Sequence, residues 1–359
     1  MYGSYISGIL IVMLLVMPCS AEQPEQQITL AEPAANWWRP LPGEFDATGF
    51  IVGGNWRIIE YGQNFGTTAW FPEGNGVAKH ADRLAAKFEK FRKMGIMLVR
   101  VGLLDDGRAM FDAEGKVVGF NQTFRHDVAT FLALAARQHV KVEFALMDFL
   151  LAGKAEEVNG VWIRGRRKIF ADREVRLQFL QNFLEPFLEE FGQHPALFGF
   201  DLINEPEWII AKADGGAWED VKDASKATAP ISGEDFRNFI STCMTSIRQH
   251  APGKFITIGV SCPHLDLVRN LDVDYLALHY YPWMRNLEDN LSNVPKNKPW
   301  MLEEFPGKGD ISAYLDQVFQ AGGAGALLWN LNPGIDDAAY QAEDEERKLQ
   351  EIRRFIENL

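Results

Sequence analysis

Short apolar segments alternate with amphipathic segments along most of this chain. The apolar runs lack regular polar alternation, which predicts strands of a parallel sheet covered on both faces. The eight predicted strands are 49–53, 96–101, 140–147, 196–203, 255–260, 275–278, 300–303 and 324–329. The segments between them carry apolar residues at helical spacing. The predicted helices are 79–94, 126–139, 173–191, 233–250, 265–271, 311–321 and 338–358.

This alternation of strand and helix predicts an α/β fold, a single-domain (β/α)8 TIM barrel, because eight such units over about 310 residues match that architecture. A doubly wound open sheet is the second interpretation. It would be favoured by a glycine-rich phosphate loop at the first strand, and the segment from Gly49 to Gly54 lacks the required spacing. The barrel is therefore preferred.

Three segments after predicted strands are longer than ordinary connections. Residues 107–119 are predicted to form a hairpin insertion, and residues 152–172 and 209–232 are predicted to be long loops. Long loops in compact domains usually serve a function or move. All three follow the carboxyl ends of strands, where the active sites of such barrels form.

The first 45 residues differ from the rest of the chain. Residues 8–17 are an apolar run of ten, followed by Pro18 and the small residues Cys19 to Ala21. We predict a signal peptide over 1–21 with cleavage near Ala21, a polar, proline-rich tether over 22–45, and a catalytic barrel domain over 46–359. The protein is then expected to be secreted or periplasmic, although no Lys or Arg precedes the apolar run.

Cys19 also raises the alternative of a lipoprotein anchor. Met17-Pro18 before it is a poor match to the small residues that such processing prefers. No other segment reaches 18 uninterrupted apolar residues, so the processed chain is expected to lie outside the membrane.

Composition and charge exclude several classes of partner. The 359 residues are 47% hydrophobic, as in ordinary globular proteins, and the formal net charge is −13. Such a surface repels nucleic acids and anionic membranes but imposes no electrostatic penalty on a neutral carbohydrate. The seven histidines are scattered and no Cys/His cluster has zinc spacing, so neither a metal nor a cofactor is expected. Cys243 and Cys262 are either two buried thiols or one disulfide.

Polar and aromatic residues stand at the carboxyl ends of five predicted strands. Barrel topology brings these ends to one mouth, so we expect the side chains to lie together. They are Arg100 at the second strand, Asn204 and Glu205 at the fourth, His279 and Tyr281 at the sixth, Glu303 and Glu304 at the seventh, and Trp329 at the eighth.

These motifs resemble the clan GH-A glycoside hydrolases, most of all family 5, which includes cellulases and β-mannanases. The similarity runs from about Gly49 to Trp329. Residues 200–206 (FDLINEP) resemble the strand-four motif whose Glu is the acid/base, and 300–305 (WMLEEF) the strand-seven motif whose Glu before Phe is the nucleophile. His279-Tyr280-Tyr281, Val99-Arg100-Val101 and Trp329 resemble the strand-six, strand-two and strand-eight signatures.

The resemblance implies a retaining glycoside hydrolase that cleaves β-linked glycans in an oligo- or polysaccharide, as an endo-β-glucanase or β-mannanase. Glu205 would be the acid/base and Glu304 the nucleophile, roughly 5–5.5 Å apart. Arg100 and Tyr281 would hold Glu304 ionised, while a poorly solvated pocket would keep Glu205 protonated. Asn204 would contact the sugar 2-hydroxyl, and Trp329 would floor the subsite at the scissile bond.

Some positions and alternatives stay open. Side chains alternate along a strand, so Glu303 is expected to support the site or face outward. Asp148 stands where the family often has His, and Glu207-Trp208 is expected to shape the other side of the cleft. The aromatic residues Trp56, Trp208, Trp283 and Tyr280 either stack on sugars or pack in the core.

The rival functions are an exo-acting β-glycosidase whose long loops close the cleft, a non-catalytic carbohydrate-binding barrel, and a metal-dependent hydrolase. The last would need several His or Asp ligands at strand ends, where His279 stands nearly alone.

Overall fold

A nearly closed parallel barrel organises the chain in this computed structural model, which describes residues 49–56, 65–66, 76–104, 110–112, 115–158, 161–211, 230–331 and 342–358. The predicted signal peptide and tether lie outside the described residues, as does most of the predicted loop 209–232. The barrel strands are β1 (Ile51–Asn55), β2 (Leu98–Gly102), β3 (Lys141–Ala145), β6 (Leu197–Asp201), β7 (Phe255–Thr257), β8 (Gly259–Ser261), β9 (Leu276–His279), β10 (Trp300–Pro306) and β11 (Gly325–Trp329).

The pairing of these strands closes the sheet. Its order is β7-β6-β3-β2-β1-β11-β10-β9-β8, and every pair is parallel. The two outermost strands, β7 and β8, are separated in the chain by Ile258 alone, so they are two parts of the predicted fifth strand. The predicted (β/α)8 barrel is therefore confirmed.

Helices connect the strands and cover the barrel. They are α1 (Ala81–Lys93), α2 (Gln122–Arg137), α3 (Lys168–Ala171), α4 (Arg173–Phe179), α5 (Glu185–Phe191), α6 (Gly233–His250), α7 (Leu287–Ser292), α8 (Ile311–Gln320) and α9 (Ala342–Asn358). A π-helical segment, Leu180–Leu184, joins α4 to α5, so the predicted helix 173–191 is continuous but irregular. The predicted helix at 265–271 is instead a 3-10 segment, Cys262–Leu267.

The predicted loop 152–172 has secondary structure of its own. Strands β4 (Glu156–Val158) and β5 (Val161–Ile163) form an antiparallel hairpin, and α3 follows it. In the predicted hairpin 107–119, Phe111 and Val117 form an antiparallel bridge.

The barrel interior is apolar at its base and polar above. Leu98 belongs to an interior cluster with Ile51, Tyr275, Met301 and Leu327. Arg100 lies two residues further along β2, and because side chains alternate along a strand it points to the same interior one layer higher. The charged residues described below therefore rest on an apolar base.

The two cysteines of the described part of the chain, Cys243 and Cys262, are separate free thiols. Among the helices described, none is long and apolar enough to cross a membrane.

Candidate active site

Glu205 and Glu304 face one another across the barrel mouth, at the ends of β6 and β10. His279, the last residue of β9, stands between them. Its Nδ1 lies 3.0 Å from Glu205 Oε1 and 3.6 Å from Glu304 Oε1. One carboxylate oxygen of each glutamate and one ring nitrogen of His279 all lie within 4.8 Å of one another. The structure thus brings together the two carboxyl groups that the sequence motifs indicated.

The backbone at Glu205 is left-handed, with φ 48° and ψ 58°, and Pro206 then begins the 3-10 turn Pro206–Trp208. The Glu205 amide donates to the Gly259 carbonyl at 2.8 Å, which ties the turn to β8. Trp208 lies at the end of the turn, and its indole Nε1 donates to Glu205 Oε2 at 2.9 Å. The turn therefore fixes both the position and the orientation of the carboxyl group.

Glu304 accepts two hydrogen bonds. Arg100 donates to Oε1 at 2.9 Å and the Tyr281 hydroxyl to Oε2 at 2.7 Å. These are the two partners that the sequence predicted.

Glu303 also lies inside the barrel, so of the two expected alternatives, a supporting position and an outward-facing one, the structure shows the supporting position. Its Oε2 lies 3.5 Å from Arg100 Nε, and the side chain is fully buried. The cause is an irregularity of β10: its register shifts between Leu302 and Glu304 against β9 and between Leu302 and Phe305 against β11. A bulge of this kind breaks the strict alternation of side chains.

Arg100 is the central cation of the site, and two of its partners were missed by sequence reasoning. Besides Glu304, it donates to Asn55 Oδ1 at 2.8 Å, to Asp201 Oδ2 at 2.5 Å and to Asn204 Oδ1 at 2.8 Å. Asn55 was missed because the predicted first strand ended before it. Asp201 did carry a signal, since it is a charged residue inside an otherwise apolar strand.

Asp148 orients Asn204. Its Oδ2 accepts from the Asn204 side-chain amide at 2.9 Å, and its Oδ1 caps the turn Phe149–Ala152 by accepting from the Leu150 amide. Asp148, Asn204 and Arg100 line a small cavity together with Trp329, so these four predicted residues share one wall of the site.

The remaining aromatic candidates separate into two groups. Trp283 is 76% exposed and stacks on Tyr281, with ring centroids 4.6 Å apart. Trp208 stacks on Phe149 beside Glu205. Trp56 is fully buried among the aromatic rings of α1 and α2, and Tyr280 is buried with its hydroxyl on the Arg285 carbonyl. These last two residues belong to the core.

The contact between Glu205 and His279 shifts the pKa values of both groups. Burial raises the pKa of Glu205, but the hydrogen bond and charge of His279, the Trp208 bond and Arg100 together lower it below its ordinary value. Burial lowers the pKa of His279, but Glu304 and Glu205 raise it to a net value above the ordinary one. A poorly solvated pocket was expected to keep Glu205 protonated; burial acts in that direction, and the neighbours of Glu205 act against it.

Glu207 does not line the cleft as expected. It is fully buried, and its Oε1 accepts from the Ser261 amide at 2.8 Å and from the Ser261 hydroxyl. Burial and the negative charge of Glu205 raise the pKa of Glu207 to about 8. It therefore anchors the turn that follows Glu205 to β8.

Glu205, His279 and Glu304 also form the one group among the described residues whose ligand atoms are close enough to hold a metal ion. The Arg100 guanidinium already supplies a positive charge 2.9 Å from Glu304, and His279 directs Nδ1 to both carboxyl groups.

The proteins found to be similar in sequence to this chain carry the same enzyme name. No protein-family model matches the sequence. The chain is 25% identical to mannan endo-1,4-β-mannosidase 2 of Arabidopsis thaliana over 326 residues, which cover 82% of this chain and 72% of that protein. It is 21% identical to mannan endo-1,4-β-mannosidase of the mussel Mytilus edulis over 319 residues, covering 78% and 83%.

Solved structures with a similar fold include a protein from one of the same organisms. The X-ray structure of the β-mannanase from Mytilus edulis superimposes with a TM-score of 0.66 at 20% identity, covering 85% of this chain and 91% of that one. The barrel, the residues at its strand ends and the sequence relatives agree with the family that the motifs resembled. That family is family 5 of the clan GH-A glycoside hydrolases, which these similarities support.

Proposed function

We propose that this protein is a retaining β-mannanase that cleaves β-1,4-linked mannan within the chain, with Glu205 as acid/base and Glu304 as nucleophile. The observation that carries this proposal is the carboxyl separation. The facing oxygens of Glu205 and Glu304 lie within 4.8 Å, as direct attack on carbon requires, whereas inverting enzymes keep their carboxyl groups about 6.5–9.5 Å apart to admit water. The names of the sequence relatives support mannan as the substrate.

In the first step, a Glu304 oxygen attacks the anomeric carbon while the bond to the leaving oxygen breaks. Arg100 and Tyr281 hold Glu304 as a carboxylate aimed at that carbon. Glu205 delivers a proton to the leaving oxygen. Since Glu205 and His279 share that proton over 3.0 Å, the pair returns it to Glu205 as negative charge develops on the leaving oxygen.

In the second step, water attacks the glycosyl-enzyme. The ester formed at Glu304 no longer carries charge, which lowers the proton affinity of its neighbours. Glu205 then accepts a proton from the attacking water, and the Glu304 ester bond breaks. Asn204, oriented by Asp148, is placed to hydrogen-bond the sugar 2-hydroxyl, and Trp329 to stack beneath the ring.

Two measurements on one reaction test the proposal. The purified protein is incubated with linear β-1,4-mannan, cellulose oligomers and β-glucan, and both the initial anomer and the product sizes are recorded. We expect β-configured mannooligosaccharides of mixed length. Inverted products would refute the two-step mechanism. Mannose alone would indicate an exo-acting enzyme, and binding without cleavage a non-catalytic barrel.

Gly259 is expected to be essential for the position of His279. A Cβ at this residue would lie 2.6 Å from His279 Nε2 and 3.1 Å from an Arg100 nitrogen. The ring is fully buried, so Gly259→Ala must displace it from Glu205. We expect kcat/KM on mannan to fall by about 10²-fold, the usual cost of a misplaced catalytic group.

The matched control is Gly233→Ala at the first residue of α6, where the nearest atom to a new Cβ is the flexible end of Arg237 at 3.4 Å. It should keep wild-type activity. Equal losses in both variants would contradict the role given to Gly259.

Trp208→Phe is expected to shift the pH profile without removing the stacking on Phe149. The Trp208 bond lowers the pKa of Glu205, so its loss raises that pKa, and Glu205 holds its proton to higher pH. The alkaline limb of kcat/KM should move upward by about half a pH unit. Trp162→Phe, in the exposed hairpin β4–β5, should leave the limb in place. A limb that moves downward in Trp208→Phe would reverse the assigned sign.

We also propose that the protein is exported, with a signal peptide over 1–21, a tether over 22–45 and the catalytic domain over 46–359. The apolar run at 8–17 and the small residues before Glu22 support this organisation. Expression of the full chain in a secreting host, followed by amino-terminal sequencing, should give a new terminus near Glu22. Retention of Met1 in the exported protein would contradict cleavage, and a lipid on Cys19 would indicate an anchor.

A further inference from the structure

A second set of ionisable side chains lies inside the barrel, beneath the proposed catalytic pair. Glu143 on β3 and Glu303 on β10 are both fully buried, and Tyr275, just before β9, is 1% exposed. The reaction described above makes no use of these three residues. A buried carboxyl group without a function is costly, so their presence calls for a physical reason.

The set converges on one edge of Arg100. Glu143 Oε1 lies 3.7 Å and Glu303 Oε2 lies 3.5 Å from Arg100 Nε. The two terminal nitrogens of the same guanidinium face the opposite way, toward Glu304 and Asp201. Arg100 is therefore shared between the proposed nucleophile on one side and the buried glutamates on the other.

The Tyr275 hydroxyl donates to Glu143 Oε2, whereas neither carboxyl oxygen of Glu303 accepts a hydrogen bond within the described part of the chain. A buried carboxyl group that accepts no hydrogen bond is more stable protonated than ionised. The Tyr275 bond favours the ionised form of Glu143, which leaves the proton on Glu303.

Charge balance leads to the same conclusion. Four carboxyl groups, those of Glu143, Asp201, Glu303 and Glu304, lie around the single guanidinium of Arg100. If all four were ionised, the buried group would carry three uncompensated negative charges, a state that a low-dielectric interior strongly disfavours. Consistent with this, burial and the charge of Glu143 raise the pKa of Glu303 well above its ordinary value, and burial raises that of Glu143 to about 7.

We propose that Glu143 and Glu303 are positioning residues that hold a shared proton beneath Arg100 and thereby set how much of its positive charge reaches Glu304 and Glu205. The inference rests on the proposed function of that pair. The groups that face the two glutamates are Arg100 from β2, Asp201 from β6 and Tyr275 from the segment before β9.

The shared proton has a consequence for the pH range. As pH rises and Glu143 ionises, a negative charge is added under Arg100 while Glu303 stays neutral. This charge offsets part of the Arg100 field and makes the Glu205–His279 pair hold its proton more tightly. The pair therefore keeps its proton to higher pH than it would if Glu143 stayed neutral.

Two neutral variants separate the roles of the two glutamates. Glu143→Gln removes the charge that appears on alkalinisation, so the alkaline limb of kcat/KM on mannan should move to lower pH by roughly half to one unit. Glu303→Gln retains a donor toward Glu143 and imitates the protonated acid, so it should keep the limb near its wild-type position. Glu190→Gln, a partly exposed partner of Arg125 on α5, is the surface control.

Infrared spectroscopy at pH 8 detects the proton without reference to activity. Relative to wild type, Glu303→Gln should lose the carbonyl band of one protonated carboxyl group, whereas Glu143→Gln and Glu190→Gln should keep it. An unchanged band in Glu303→Gln would overturn the shared proton. If Glu303→Gln lost the band but Glu143→Gln left the alkaline limb of kcat/KM in place, Glu143 and Glu303 would have a structural role only. If wild-type protein cleaved no mannan, the proposed function would fall, and the band would still decide where the proton resides.

Discussion

Replacing Glu304 with alanine is expected to reduce kcat/KM on mannan by roughly 10⁴- to 10⁶-fold, the range seen when a nucleophile is removed from an enzyme. Without the carboxylate there is no group to trap the oxocarbenium-like centre. The guanidinium of Arg100 and the hydroxyl of Tyr281 also lose their shared acceptor. The barrel should remain folded, since Arg100 keeps Asp201, Asn204 and Asn55.

Azide rescue distinguishes a missing nucleophile from general damage. In Glu304→Ala, azide can occupy the space of the lost carboxylate and attack the anomeric carbon of dinitrophenyl β-mannobioside directly. One displacement inverts the configuration, so the product should be an α-glycosyl azide. A β-glycosyl azide, or no rescue in a variant that keeps its wild-type melting temperature, would argue against Glu304 as nucleophile. Glu190→Ala serves as the surface control and should hydrolyse the substrate without azide.

The fold was predictable because its signals are local. Eight runs without polar alternation, each followed by a helical pattern, determine a parallel barrel once right-handed crossovers are assumed. The boundaries were less accurate where tertiary pairing decides them. The first strand extends to Asn55 because Gly53 and Gly54 pair with Leu98 and Val99 of β2, although two glycines by themselves suggest a turn.

The polar residues at strand ends were also predictable, since topology alone brings them to one mouth. The layer beneath them was not. Glu143 and Asp201 lie within apolar strands, and their meeting with Glu303 depends on a register shift in β10. Such a shift is set by the neighbouring strands, so the alternation rule applied to one strand could not find it.

The direction of the Glu205 pKa shift was the property that the sequence predicted least well. A pocket poor in water would raise the pKa of Glu205, as the sequence suggested, but the sign of the net effect depends on distances. His279 Nδ1 at 3.0 Å and the indole of Trp208 at 2.9 Å outweigh burial, and the pKa falls. The proposed acid/base is therefore better described as a pair, Glu205 with His279, than as a single residue.

Glu205→Ala is expected to affect the two chemical steps unequally. On mannan the leaving group is a sugar alkoxide that needs a proton, so kcat/KM should fall by about 10²- to 10⁴-fold, the usual contribution of general acid catalysis. On dinitrophenyl β-mannobioside the leaving group needs no proton. The glycosyl-enzyme should then form at nearly the wild-type rate, giving a burst of dinitrophenolate followed by slow hydrolysis.

Azide should accelerate the slow phase in Glu205→Ala, because it attacks the glycosyl-enzyme without a general base. The product passes through two displacements, so a β-glycosyl azide is expected, opposite to the configuration from Glu304→Ala. His279 would keep Glu304 as a partner in this variant, which preserves the site around the intermediate. If His279 could act as acid in place of Glu205, mannan hydrolysis would survive the substitution. The fall in kcat/KM on mannan, divided by the fall on the activated substrate, therefore measures how much proton transfer to the leaving group requires Glu205.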